Sequence, residues 1–246
     1  VLSRARGAGA TTAREQFVNL PNAISAARIA VSPLIALLPL LPSPLWRGVG
    51  FALYVISAVS DYLDGWFART RGMVTDLGKA LDPLADKLLL VATFIPLIIL
   101  QGPAGDPLAV FLSRTLGISA ASAFAFPFLS WFGSFALPWW VVAVVLGREL
   151  VMTIFRQLAQ NKGVVIAANY PAKVKTVMQY IWVGAAYFWF GMQTLAAQRH
   201  IEGNALWDFC TLLVGSIGVL TMWLAVGLTI ASFANYLRRY GALFTR

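Results

Sequence analysis

The chain has 246 residues, 59% of them hydrophobic and 12% charged, with a net charge of +9. A soluble domain carries about a quarter charged residues, so composition excludes an ordinary soluble protein and points to an all-α integral membrane protein folded as one helical unit. The Lys and Arg residues lie between apolar stretches, which makes topology and anionic lipid, not nucleic acid, the cause of the basic excess.

Residues 1–18 read as a basic, disordered tail with no cleavable signal peptide, because the first apolar run begins only after them. Six apolar spans follow: Asn22 to Leu41, Trp46 to Ala68, Lys79 to Gln101, Pro138 to Gln160, Pro171 to Ala196 and Leu206 to Leu237. They make residues 19–246 one membrane domain. Leu41-Pro42-Ser43-Pro44 is a tight turn, since its two prolines cannot continue a helix. Within the third span, the uninterrupted apolar part from Leu88 to Leu100 is shorter than the roughly twenty residues a bilayer requires. It crosses only if Asp82, Asp86 and Lys87 also enter the membrane region, facing a polar cavity. The stretch 102–136 reads as an outer-side interfacial insertion. Leu108, Phe111, Leu112 and Leu116 share one helical face there, and an aromatic re-entrant or surface-lying segment follows around Pro127. Cys210, the one cysteine, is a small core or lipid-facing residue and excludes an internal disulfide.

One set of loops and span ends holds Arg4, Arg6, Arg14, Arg69, Arg71, Lys79, Lys162, Lys173, Lys175, Arg238, Arg239 and Arg246. The other set holds Arg47, Arg114 and Arg199. The positive-inside bias puts both termini and the loop after the second span in the cytoplasm. Every intramembrane charge then falls in the cytoplasmic half: Arg28, Asp61, Asp64, Asp82, Asp86, Arg148, Glu149 and Arg156. The arrangement predicts a six-transmembrane-helix bundle with a cytoplasm-facing polar cavity.

Five of the ten acidic residues lie between Asp61 and Asp86. Four follow the pattern Asp61-x2-Asp64-Gly65-x2-Ala68-Arg69-x8-Gly78-x3-Asp82-x3-Asp86. Asp61, Asp64 and Ala68 share one helical face, and Gly78, Asp82 and Asp86 another. Two antiparallel helices joined by a short loop can present the four carboxylates to one volume. Bare carboxylates so close repel one another, whereas bound divalent cations remove the conflict, and all-oxygen ligands favour Mg²⁺ or Mn²⁺. Two ions about 3.5–4 Å apart suit displacement at phosphorus. Arg69 offers a fork suited to phosphate. Asp76 lies off both faces as a loop or cap residue. Glu149 beside Arg148 reads equally as a buried ion pair and as a site residue. His200, Glu202 and Asp208 read as loop residues.

At these residues the chain resembles the CDP-alcohol phosphotransferase family, meeting all eight fixed positions of its signature. Asn19-Leu20-Pro21-Asn22-x2-Ser25-x2-Arg28, Leu146-Gly147-Arg148-Glu149 with Arg156, and Ala172-Lys173-Val174-Lys175-Thr176 look most like bacterial phosphatidylglycerophosphate synthases. Ser25 stands where threonine is common and Ala172 where glycine is common, and the insertion 102–136 is longer than usual. The resemblance implies a multi-pass, commonly homodimeric enzyme of the bacterial inner membrane with two metal ions. It implies Asp61, Asp64, Asp82 and Asp86 as metal ligands, with Asp86 also the general base. Asn22, Arg28, Asp61, Gly65, Ala68, Arg69 and Gly78 would contact the CDP moiety. Arg148, Arg156, Lys173 and Lys175 would hold the phosphate of the acceptor. The reaction implied is phosphatidyl transfer from CDP-diacylglycerol to sn-glycerol 3-phosphate, a step of phospholipid biosynthesis. A same-family acceptor such as inositol phosphate, serine or phosphatidylglycerol is the alternative. A divalent-metal transporter is the alternative of a different class, although the half opposite the aspartates lacks the charges a through-path needs.

Overall fold

The structure is a computed structural model that describes residues 20–70, 76–118, 126–162, 170–201 and 203–240. The tail 1–18 lies outside these residues, and so do the side chains from Asp64 to Thr70. Among the described residues six long helices carry the fold: α1 (Leu20–Leu37), α2 (Pro44–Thr70), α3 (Asp76–Gln101), α5 (Trp139–Asn161), α6 (Tyr170–Arg199) and α7 (Ala205–Tyr240). Each falls where an apolar span is expected, within a few residues. The short helix α4 (Pro107–Thr115) and the strands β1 (Phe128–Ser130) and β2 (Gly133–Phe135) lie in the insertion.

A 3₁₀ turn, Leu38–Leu40, precedes the Pro42/Pro44 bend, and Leu41 between them is extended (φ −71°, ψ 132°). Pro44 opens α2, where its missing N–H would have no helical partner anyway. α1 packs on α2 and α3, α2 on α6, and α6 along α7. The core is rich in bulky side chains, with Phe94 and Leu97 of α3, Val141 and Val145 of α5, and Trp182, Trp189 and Phe190 of α6 all buried. Three of the helices are long and apolar enough to cross a membrane by length and composition alone: Asn22–Leu40, Leu81–Gln101 and Ala205–Arg239. Large apolar side chains such as Leu150, Ile154 and Leu158 on α5 point outward, a surface that suits lipid and not water.

The insertion differs from its expected form. Asp106 caps α4, its Oδ1 accepting from Leu108 N at 2.9 Å and Ala109 N at 3.2 Å, while its Oδ2 accepts from Trp139 N at 3.3 Å. Leu108 and Leu112 pack on the bundle, but Phe111 and Leu116, expected on the same face, are exposed. After residue 126 the chain forms an antiparallel hairpin with Phe128 opposite Phe135. This hairpin does not merely lie on a surface. Phe128 is fully buried, with its ring edge-on to Trp189 at a centroid distance of 5.8 Å. Gly215 and Gly218 of α7 make that approach possible. A Cβ on Gly215 would collide with the Leu129 carbonyl, and one on Gly218 with the Phe128 ring.

The same end of the bundle is tied by Arg47, which is buried. Its Nε donates to the Pro39 carbonyl at 2.8 Å and its Nη1 to Thr194 Oγ1, and its guanidinium lies 4.7 Å from the centre of the Phe126 ring. Phe126 N donates to Leu100 O at 2.6 Å and Leu137 N to Gln101 O at 2.7 Å, so the insertion satisfies carbonyls that the end of α3 leaves unpaired.

Candidate active site

Three helices build the acidic centre. Asn22, Ser25 and Arg28 recur at three-residue intervals on α1 and are all buried, forming one polar stripe. That stripe faces the carboxylates. Arg28 Nη1 donates to Asp61 Oδ1 of α2 at 2.5 Å and to Asp86 Oδ1 of α3 at 3.0 Å. Ser25 Oγ donates to Asp82 Oδ1 at 2.7 Å, one helical turn before Asp86. Serine in place of the family's common threonine therefore keeps the hydroxyl that the site uses. Ser32 Oγ, donating back to the Arg28 carbonyl at 2.7 Å, holds the helix turn that carries the guanidinium.

A fourth helix also takes part. Tyr180 of α6 donates its hydroxyl to Asp61 Oδ2 at 3.0 Å, and Tyr54 of α2 donates to the Tyr180 carbonyl at 2.8 Å. Sequence reasoning missed Tyr180. The available signal was its place one residue beyond a helical turn from Lys175, on the first half of α6. Asp86 is half exposed, whereas Arg28 is buried. Carboxylate oxygens of Asp61 and Asp86 thus converge on one cationic nitrogen, an all-oxygen donor geometry that suits a hard cation. Among the described residues no group of three or more His, Cys, Asp or Glu side chains is close enough to hold a metal. Asp82 is engaged by Ser25. The side chains of Asp64, Ala68 and Arg69, and the surroundings of Gly65, lie outside the described residues, while Gly78 is buried near the start of α3.

The expected acceptor residues divide. Glu149 Oε1 accepts from Arg148 Nη1 at 3.0 Å and from Lys175 Nζ, joining α5 to α6. Glu149 is thus the counter-charge of two buried cations. Arg148 Nη2 also donates to Ser232 Oγ of α7 at 3.2 Å. Burial of cations in such a bundle requires partners of this kind. Arg156 lies two turns further along α5, half-buried, and its Nε has no hydrogen-bond partner among the described residues. Lys173 is exposed and does not join the cluster.

One cavity of about 140 Å³ connects the two centres. Its wall includes Asp86 and Thr93 of α3, Glu149 of α5, and Lys175, Gln179 and Tyr180 of α6. A larger cavity of about 710 Å³ lies toward the other end of the bundle between α2, α6 and α7. An adjoining one of about 450 Å³ shares Phe51, Phe188 and Val214 with it and reaches Tyr54 and Tyr180. Both are almost wholly apolar, and their only ionisable lining groups are tyrosines and the Cys210 thiol. Size notwithstanding, the small cavity is where proton transfer and anion binding can meet.

Comparison of the sequence with known proteins matches the chain to a family. The model of the CDP-alcohol phosphatidyltransferase family matches residues 18–231, which contain the whole acidic motif and the α5 and α6 clusters. The CDP-diacylglycerol–glycerol-3-phosphate 3-phosphatidyltransferase of Bacillus subtilis is 33% identical over 180 residues, covering 68% of this chain and 75% of that protein. The protein of the same name from Rickettsia bellii is 40% identical over 106 residues, covering 43% of this chain and 59% of its own length. With the family model spanning nearly all of the described helices, this multi-pass membrane chain belongs to the CDP-alcohol phosphatidyltransferase family.

Proposed function

We propose that the chain transfers a phosphatidyl group from CDP-diacylglycerol to sn-glycerol 3-phosphate, giving phosphatidylglycerophosphate and CMP. The observation that carries this reading is the single cavity with Asp86 on one wall and Lys175 with Glu149 on another. It offers a proton acceptor and an anion-binding group to one small molecule.

Asp86 Oδ takes the proton of the acceptor's 1-hydroxyl. The resulting alkoxide attacks the diacylglycerol-side phosphorus, and the bond from that phosphorus to the CMP oxygen breaks. Lys175, Arg148 and Arg156 hold the acceptor's phosphate, with Glu149 positioning the first two. Lys173, exposed and off the cavity wall, adds only to the surrounding positive potential. Asn22, Arg28, Asp61, Gly65, Ala68, Arg69 and Gly78 bind the CDP moiety. Asp61, Asp64, Asp82 and Asp86 would hold two Mg²⁺ or Mn²⁺ ions, which when bound neutralise charge on the pyrophosphate and the departing CMP. The acyl chains of the donor lie along the apolar groove that ends at Tyr54 and Tyr180. The six long helices cross a bacterial inner membrane with both termini and the site on the cytoplasmic side, and the chain pairs as a homodimer; the asymmetric distribution of Lys and Arg supports the orientation.

A panel of acceptors with purified protein and CDP-diacylglycerol tests the reading. CMP release with glycerol 3-phosphate is the expected result. Release only with inositol phosphate, serine or phosphatidylglycerol would overturn the acceptor. Metal flux in proteoliposomes without CMP release would overturn the enzyme.

A further inference from the structure

The wall of the small cavity holds one polar group with no assigned role. Gln179 of α6 is 5% exposed, and its amide nitrogen has no hydrogen-bond partner among the described residues. The other neutral donors on that wall are engaged. Thr93 Oγ1 donates to Leu90 O at 2.8 Å, Thr176 Oγ1 to Ala172 O at 3.1 Å, Tyr180 to Asp61 at 3.0 Å, and Tyr54 to the Tyr180 carbonyl at 2.8 Å. A buried amide N–H₂ without an acceptor is unfavourable and seldom retained without a reason. Gln179 lines the cavity, so a rotation of its buried side chain brings the amide to a ligand oxygen.

Its position says which oxygen. Lys175 and Gln179 are four residues apart on one face of α6, hence one turn and about 6 Å along the axis. Asp86 stands on the facing helix α3. A three-carbon phosphate held at Lys175 and reacting at Asp86 passes its middle carbon between them. We propose that Gln179 is a specificity-determining residue whose amide donates to the secondary hydroxyl of a polyol phosphate acceptor. The inference rests on the proposed reaction and adds a reason for acceptor choice. The amide hydrogens find their partner in a lone pair of that hydroxyl oxygen.

The test compares glycerol 3-phosphate with 3-hydroxypropyl phosphate, which lacks only the secondary hydroxyl, in the wild-type protein and in Gln179→Leu. The wild-type protein should prefer glycerol 3-phosphate by at least about tenfold in kcat/KM, since a site that donates to a hydroxyl rejects the analogue without it. In Gln179→Leu, kcat/KM for glycerol 3-phosphate should fall about 10- to 100-fold, chiefly through KM, while that for the analogue stays within about threefold. An equal fall for both acceptors, or no fall for either, would overturn the assignment. Retained CDP-diacylglycerol binding shows that the variant is folded. Should it not fold, Gln179→Met and the wild-type preference decide, and equal wild-type use of both acceptors overturns the proposal. If wild-type protein releases CMP with another alcohol but not with glycerol 3-phosphate, the proposed reaction has failed, and this inference fails with it.

Discussion

Tyr180 and Asp61, 119 positions apart in the chain, meet through a 3.0 Å hydrogen bond from the phenol to the carboxylate. The bond links α6, which carries Lys175 and Gln179, to the first aspartate of the motif on α2. A hydrogen bond to a charged acceptor contributes about 1.5–3 kcal/mol. Tyr180→Phe should therefore lower kcat by roughly tenfold or more, with the KM for acceptor little changed. Steady-state CMP release measures both, and a loss confined to KM would contradict a positioning role for the tyrosine.

Asp86→Asn keeps the shape of the side chain and removes the base. Turnover should fall by about 10²–10⁴-fold. Binding of CDP-diacylglycerol should be substantially retained, measured by equilibrium binding in detergent. Near-normal activity would refute the assignment of Asp86 as base.

Glu149 accepts from both Arg148 and Lys175, so Glu149→Gln leaves two buried cations short of a counter-charge. Breaking such a pair costs about 3–5 kcal/mol when fully buried, and about 1–3 kcal/mol is expected here because the carboxylate is partly exposed. Thermal unfolding in detergent should show a lowered midpoint for Glu149→Gln. The Lys173→Gln variant, altered at an exposed position, should match the wild-type protein. Equal midpoints for all three would show that the ion pairs do not tie α5 to α6.

Phe128 fills a site between Trp189 and the glycines of α7. Phe128→Ala should cost about 3–5 kcal/mol, the usual range for emptying a buried aromatic position. Gly218→Val should be at least as damaging, because its side chain would enter the space of the ring. Denaturant unfolding in micelles measures both, and full stability in Gly218→Val would mean that the hairpin is free to leave α7.

Hydropathy placed the six long helices because each needs an apolar run of sufficient length, and the acidic motif placed Asp61, Asp82 and Asp86 because helical spacing is local. What escaped depends on how helices are rotated against one another. The Arg148 partner of Glu149 was readable from adjacency, but its second partner, Lys175, comes from α6. The role of Tyr180 depends on a contact with α2. The hairpin was illegible for a related reason, since its burial depends on Gly215 and Gly218, about ninety residues further along the chain. A window centred on Pro127 holds no trace of them. Arg28 shows the intermediate case. Its depth in the first span was readable, but its simultaneous bonds to Asp61 and Asp86 were not.

Arg47 carries a further consequence. At the end of the bundle away from the aspartates, a tally of the sequence gives three arginines: Arg47, Arg114 and Arg199. One of them is inaccessible, its guanidinium engaged by Pro39, Thr194 and the Phe126 ring. Only Arg114 and Arg199 are exposed there. The accessible charge is therefore more polarised between the two ends of the bundle than the formula indicates, with a strongly basic pole at the aspartate end and a pole of little net charge opposite, where Glu202 and Asp208 offset Arg114 and Arg199. Vesicles of anionic lipid would feel that polarity during reconstitution, and it would favour one direction of insertion over the other.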